Sequence, residues 1–276
     1  MPHHLHFPRE GRIPTAQQRT LSPAPSTYRG VALVAVAGVL DEQGAAALRR
    51  DVEAQHVRRG GPVVVSLERA TGWTRSGLVG LERLAHSDPA GKVAFAAPPS
   101  MMIAALPGLI GYPTFPSVES AAAVLTAPPG PLPHLPAGAV HPTRYAHRPF
   151  PSEPASVFTA RHWARTLLID WGCRPHVPAV LSALSELAAT SIAASTNTTD
   201  TFQVAAHTWR DHDRVRHLTV SLIDAHPHLG PHGDQVDAAA FRRGLRHIAS
   251  LTDRLGSYRR HEPQACRIIW FSSQLA

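Results

Sequence analysis

The sequence predicts an α/β chain of the α+β kind, with an N-terminal mixed sheet carrying helices and a C-terminal α/β sandwich. Three observations carry this. Short apolar runs rich in β-branched residues, "VALVAVA", "PVVVSL" and "KVAFAA", alternate with stretches of helical periodicity in the first half. A proline-dense stretch without periodicity, "TAPPGPLPHLPAGAVHPTRYAHRPFPSEPAS", then divides the chain. Beyond it the pattern becomes two helices, two strands, a helix and a final strand.

The elements follow in order. Residues 1–27 are rich in Pro, His and Arg without apolar periodicity and read as a disordered tail. The first domain is placed at 28–126. After "VALVAVA", Gly38 breaks the run, and "DEQGAAALRRDVEAQHVRRG" reads as a helix with Ala47, Leu48, Val52 and His56 along one side and Gly60 at its end. "PVVVSL" is a strand, "SGLVGLERLAH" a helix and "KVAFAA" a strand, followed by helices in "PSMMIAAL" and "SVESAAAVL". Residues 127–152 are expected to be a Pro-rich linker, and 153–276 the second domain. There "SVFTARHWARTLLIDWG" reads as a helix with Phe158, His162, Ala164, Leu167 and Leu168 inward. "VPAVLSALSELAATSIAAS" is a longer helix, "FQVAAHTW" and "RHLTVSLID" are strands, "DAAAFRRGLRHIASLTDRLGSY" is a helix and "ACRIIWFSSQL" closes the chain as a strand. The second sheet is expected to be mixed, with helices over one face.

Composition narrows the function. Apolar residues make up 43% of the 276, enough for real cores, while charged residues are only 17%. The formal net charge is +7, and Lys92 is the single lysine among 27 basic residues. That balance suits acidic partners and says nothing about fold. Two cysteines, Cys173 and Cys266, are too few for a disulfide framework or a cysteine-based metal site. No membrane span and no signal peptide are expected, so the chain is read as cytoplasmic.

"TRSGLVGL", from Thr74 to Leu81, places a serine where a strand-to-loop passage becomes a helix. A serine there is a favoured N-cap, and Ser76 is expected to cap the helix. The same place suits an anion, because free N–H groups and the helix dipole point outward.

Residues 28–125 resemble STAS domains of the anti-sigma-factor-antagonist type. The resemblance rests on "GVLD" after the first strand, the "VVVSL" strand, the "SGL" helix start and the order of elements. In that family the loop reads Asp-x-Ser-Gly and a partner kinase phosphorylates the serine. Ser76 and Gly77 match, so Ser76 is the candidate phospho-acceptor. Thr74 stands in place of the family's aspartate, and Ser66 replaces the aspartate that commonly ends the second strand.

Residues 151–276 are similar to the anti-sigma-factor kinases of the GHKL ATPase superfamily. "ELAAT" lies where the family has Glu-Leu-x-x-Asn, so Glu186 and Thr190 stand at the catalytic glutamate and the Mg²⁺-binding asparagine, one helical turn apart. "DAHPH" lies where the family has Asp-x-Gly-x-Gly. Asp224 is kept at the adenine-reading position, but His226 and His228 replace the glycines. Gly244 and Leu245 match the second glycine motif, with Arg242 at its first glycine, and Ile268 replaces a nucleotide-supporting threonine.

The combination implies a retained scaffold with a lost site. Glu186 is vestigial and no catalytic residue is assigned; Glu186, Thr190, Asp224 and Gly244 are nucleotide-binding remnants. No metal and no cofactor are expected. The resemblance implies a non-catalytic regulatory protein in a sigma-factor partner-switching network. Its partners would be an anti-sigma factor, an antagonist or a sigma factor, and a homodimer is compatible with it. Two alternatives stand beside this. One is an active serine kinase using ATP and Mg²⁺. The other is a nucleic-acid-binding protein, motivated by Arg242, Arg243, Arg246, Arg254, Arg259 and Arg260, although Tyr258 alone supplies aromatic interleaving. His226, His228 and His232 with Asp224 or Asp234 could ligate a metal, but a loop in a chain with 18 histidines is the simpler reading.

Overall fold

The structure, a computed structural model, describes residues 26–88, 92–126, 143–195, 200–211, 213–224, 238–260 and 266–275. The first half forms a five-stranded sheet in the order β1 (Ser26–Tyr28), β2 (Val31–Leu40), β3 (Val63–Trp73), β4 (Val93–Ala96) and β5 (Thr114–Phe115). β1 runs antiparallel to β2 and the remaining pairs are parallel, so the sheet is mixed as expected. Its inner strands are continuous apolar runs because both faces are covered. Val34, Val36, Val65, Leu67 and Phe95 meet α1 (Glu42–Arg59), α2 (Arg75–His86) and α3 (Ser100–Ala105). Val64, Ala94 and Ala96 meet α4 (Val118–Leu125) through Ala121 and Ala122.

Local chemistry sets the helix ends. Asp41 Oδ1 accepts from Gly44 N at 2.7 Å to start α1, and Gly60, at φ 64°, ends it in the left-handed region. Ser117 and Ser120 form a reciprocal capping box at α4.

The second half is a five-stranded sheet in the order β6 (Arg144–Pro151), β7 (Thr201–Arg210), β8 (Arg216–Asp224), β10 (Cys266–Leu275) and β9 (Arg254–Arg260). Every pair is antiparallel, which corrects the expected mixed sheet. Helices α5 (Ala155–Asp170), α6 (Val177–Ala194) and α7 (Ala238–Leu251) lie over one face, where Val204, Val220, Leu222, Ile269 and Phe271 meet Leu184, Leu187, Leu245 and Ile248.

Several boundaries differ from the sequence reading. Ser26 and Thr27 belong to β1, so the first sheet begins inside the expected tail. β6 lies inside the expected linker; it is the edge strand of its sheet, where prolines such as Pro149 and Pro151 are tolerated. The helix expected to run to Tyr258 stops at Leu251, and β9 follows. On α5 the inward line is Ser156, Ala160, Ala164 and Leu168; Phe158 is 76% exposed and His162 is exposed, against expectation. Small residues let α5 lie close to α6, and this rotates Phe158 outward. Among the described residues one helical stretch, Arg174–Ala194, is long and apolar enough to cross a membrane. Val180, Leu184, Leu187 and Ala188 on it are buried in the core.

The two halves are docked along a continuous seam. β5, the edge of the first sheet, lies against β9, the edge of the second, while α3 packs on α7. Trp270 Nε1 donates to Thr114 O at 2.8 Å, and Thr114 Oγ1 donates to Ser257 O at 2.8 Å. Ser100 Oγ donates to Ala249 O at 2.9 Å, and Arg254 reaches Pro116 O at 3.0 Å and Glu68 at 3.3 Å. Phe115 and Tyr258 pack ring to ring with centroids 4.8 Å apart. This arrangement removes two exposed sheet edges at once.

Candidate functional site

Two places hold the residues the sequence singled out, and they lie on different elements. The first is the start of α2. Its N-cap is Thr74, not Ser76: Thr74 Oγ1 accepts from Gly77 N at 3.1 Å. Gly77 is pressed onto the end of β2, where a Cβ would lie 2.7 Å from the Leu40 carbonyl carbon. That contact fixes Gly77 as the third helical residue, and Thr74 is the residue placed to cap it. Ser76 therefore sits inside the first turn, exposed, with its hydroxyl 3.0 Å from Thr74 Oγ1. It does not cap the helix; its hydroxyl shares a hydrogen bond with the cap hydroxyl of Thr74 at the exposed first turn.

Ser76 borders an open groove of about 760 Å³ between α1 and α2. Ala45, Ala46, Val79 and Gly80 contribute small or apolar surface, and Arg49, Arg75 and Arg83 stand around it with Glu42 as the one acid in its lining. The groove is shallow-floored because the helices nearly touch: a Cβ on Gly80 would lie 2.5 Å from Ala45 Cβ.

The second place lies between α6, α7 and β8. Asp224 is buried at the end of β8, and its Oδ2 accepts from Ser191 Oγ at 2.5 Å. Thr190 Oγ1 donates back to Glu186 O of its own helix at 2.7 Å. Glu186 lies against α7, its Oε2 3.3 Å from where a Cβ on Gly244 would be. Gly244 is buried inside α7, not in a loop ahead of a helix, so it serves close helix packing. Ile268 points to the opposite face of the sheet, among Tyr258 and Trp270.

Directly opposite Asp224 in the β8–β10 register is Arg267, a residue the sequence reading passed over. It is 2% exposed, and its NH2 group donates to Ile110 O of the first half at 3.3 Å. Its NH1 group has no hydrogen-bond partner among the described residues. Burial pulls its pKa down to about 10; Arg259 pushes the same way and Asp224 opposes. Arg267 thus remains charged at neutral pH beside the aspartate.

The histidines at 226, 228 and 232 and Asp234 lie outside the described residues. Among the described residues no group of His, Cys, Asp and Glu could hold a metal ion. The arginines read as one basic cluster are dispersed: Arg242, Arg243 and Arg246 are exposed on α7, whereas Arg254 is tied to Glu68 at the seam.

No family model matches the chain, and no curated protein matches it. Among solved structures it is similar to the RsbU and RsbW domains of a Mycobacterium tuberculosis protein, at 18% identity and a TM-score of 0.34 over 49% of this chain. It spans only 33% of that neighbour's length. It is similar to the anti-sigma factor antagonist SpoIIAA in its unphosphorylated form, at 17% identity and a TM-score of 0.28, covering 36% of this chain and 91% of that one. A third similarity is to the SiaB–SiaC complex from Pseudomonas aeruginosa, at 15% identity and a TM-score of 0.33, covering 47% and 88%. Likeness of this degree carries no functional argument.

Proposed function

We propose that this chain is a regulatory protein that acts by protein–protein contact in a partner-switching network controlling a sigma factor, and that it does so without turning over nucleotide. The observation that carries this is the state of Asp224. Its carboxylate is buried and already accepts from Ser191 through Oδ2, so an adenine amino group would have to reach an acid that is closed to solvent and partly satisfied from within. Two further residues agree. The Thr190 hydroxyl is engaged with its own helix, and Gly244 is enclosed in α7, where its backbone amide serves the helix. The exposed Ser76 hydroxyl beside an open groove supports partner binding at that face.

On this reading no cofactor is needed, the partner is an anti-sigma factor, an antagonist or a sigma factor, and the setting is the cytoplasm. The competing reading is a serine kinase using ATP and Mg²⁺, with Ser76 or a separate antagonist as substrate. The full chain incubated with γ-labelled ATP and Mg²⁺ separates the two. The expected result is no label on the chain or on an added antagonist protein. Label that appears on Ser76 and disappears in Ser76→Ala would replace this function with the kinase.

A further inference from the structure

We propose that the first half carries a binding site for a small zwitterion of the amino-acid class, in a cavity on the face of its sheet opposite α1 and α2. The cavity lies between β1, β2, β3 and α4 and holds about 270 Å³. That is below the roughly 300–1,000 Å³ of pockets for drug-sized ligands, so its occupant is small.

The space follows from the sequence. Ala35 and Ser66 are partners in the β2–β3 register, and two small side chains side by side leave the sheet floor low there. Beyond them the register slips. Ala35 faces Ser66 but Ala37 faces Arg69, so Leu67 and Glu68 together oppose Val36. An extra residue in one strand re-aims the side chains beside it. Glu68 and Arg69, consecutive in the chain, both reach the cavity. The start of α4 closes it from the other side through Val118 and Glu119.

The lining has an apolar part and a polar part. Tyr28, Leu33 and Val118 continue the apolar layer built on Val64 and Ala94. Ser66 is only 5% exposed, and its hydroxyl has no hydrogen-bond partner among the described residues. An unpaired buried hydroxyl is costly, and a ligand's polar group would recover that cost. Arg69 and Glu119 line the same small space, yet they form no ion pair with each other or with any other described residue. Glu68 is already engaged by Arg254 NH2 at 3.3 Å. The free charges are therefore one of each sign.

That pairing selects the ligand. A simple anion would meet Glu119, and a simple cation would meet Arg69. A nucleotide is too large and too acidic. A zwitterion with a short apolar side chain satisfies the whole set. Its carboxylate meets Arg69, whose guanidinium offers two-point contact. Its ammonium meets Glu119, Ser66 Oγ gains a hydrogen bond, and the apolar body lies against Leu33 and Val118. The second half supports the site from behind, because Arg254 holds Glu68 and also donates to Pro116 O at 3.0 Å, just ahead of α4.

The test is calorimetry on the full chain with L-leucine as the probe. Two analogues accompany it: 4-methylpentanoate, which lacks the ammonium, and 3-methylbutylamine, which lacks the carboxylate. Leucine should bind, and each analogue should bind about tenfold more weakly or worse, because each leaves one charged group of the site unmatched. Arg69→Gln and Glu119→Gln, neither at a buried position, should each weaken leucine by a similar factor. Arg58→Gln, an exposed change on α1 across the sheet, should stay within about twofold of the parent. The analogues need no variant, which keeps the test decisive if a substitution disturbs the fold. Absence of heat with millimolar leucine overturns the proposal. So does an analogue that binds as well as leucine, or leucine affinity unchanged in both Arg69→Gln and Glu119→Gln.

Discussion

Gly256→Ala tests whether the two halves are closed on one another in solution. Gly256 lies in β9 at the seam, directly opposite Trp270 in the β9–β10 register. A Cβ there would stand 2.6 Å from Trp270 Cζ2 and 2.9 Å from Thr114 Cβ, and closer still to Thr114 Oγ1. Trp270 is fully buried and its indole N–H is bonded to Thr114 O at 2.8 Å, so neither neighbour can swing away cheaply. Overpacking of this kind costs about 1–3 kcal/mol. Against it stands the gain of roughly 0.4–1 kcal/mol from restricting the unfolded chain when glycine becomes alanine. The sign of the result is therefore informative. With the seam closed, Gly256→Ala should lose stability, lowering the melting temperature by about 2–4 °C per kcal/mol in a protein of this size. With the seam open, Thr114 would be absent, and Trp270, no longer anchored through its indole N–H, could shift away from the new methyl group. Urea unfolding of parent and variant side by side reads the difference. A variant as stable as the parent, or more stable, refutes the docked arrangement.

Three further outcomes follow from local chemistry. Thr74→Ala should cost about 1 kcal/mol as the α2 cap is lost, whereas Ser76→Ala should stay within about 0.5 kcal/mol as an exposed change; thermal unfolding of the pair checks which residue is the cap. Ser191→Ala should cost about 1.5–3 kcal/mol, because it strips a hydrogen bond from the buried Asp224 carboxylate; denaturant midpoints at fixed pH measure it. His207 is buried in β7 with neither ring nitrogen bonded, and burial holds its pKa down to about 3 against 6.5 when unfolded. The folded state thus binds fewer protons, so stability is complete above about pH 6.5 and falls toward pH 3 by up to about 1.4 kcal/mol per pH unit. His207→Leu should flatten that slope between pH 6.5 and 5, and an unchanged slope would assign the acid sensitivity to other groups.

What could be read from the sequence depended on how distinct each signal was. The parallel strands were legible because Val63, Val64 and Val65 are buried on both faces, and Val31 to Val36, with only Leu33 and Ala35 half-buried, likewise leaves an uninterrupted apolar run. β6 was hidden because an edge strand needs few apolar residues: only Phe150 is buried in it, and two arginines, two prolines, Tyr145, Ala146 and His147 make up the rest. β9 was hidden because "RLGSYRR" continues the polar-apolar texture of α7 without a break. At α2, Thr74 and Ser76 are both good caps by type, and the choice between them is made by Gly77 meeting Leu40, a contact across the fold. Asp224 was recognisable at a strand end, but its partner Ser191 comes from another element. Arg267 was missed for a related reason. "RIIWF" is apolar in both phases because the strand is covered on both faces, so alternation could not tell that Arg267, and not Ile268, shares a face with Asp224.

Calorimetric titration of the full chain with ATP and Mg²⁺ decides whether the second half binds nucleotide. No heat beyond dilution is expected at millimolar nucleotide, since Asp224 is buried against Ser191 and Gly244 is enclosed in α7. Micromolar, Mg²⁺-dependent binding that Asp224→Asn abolishes would contradict it and restore the nucleotide site.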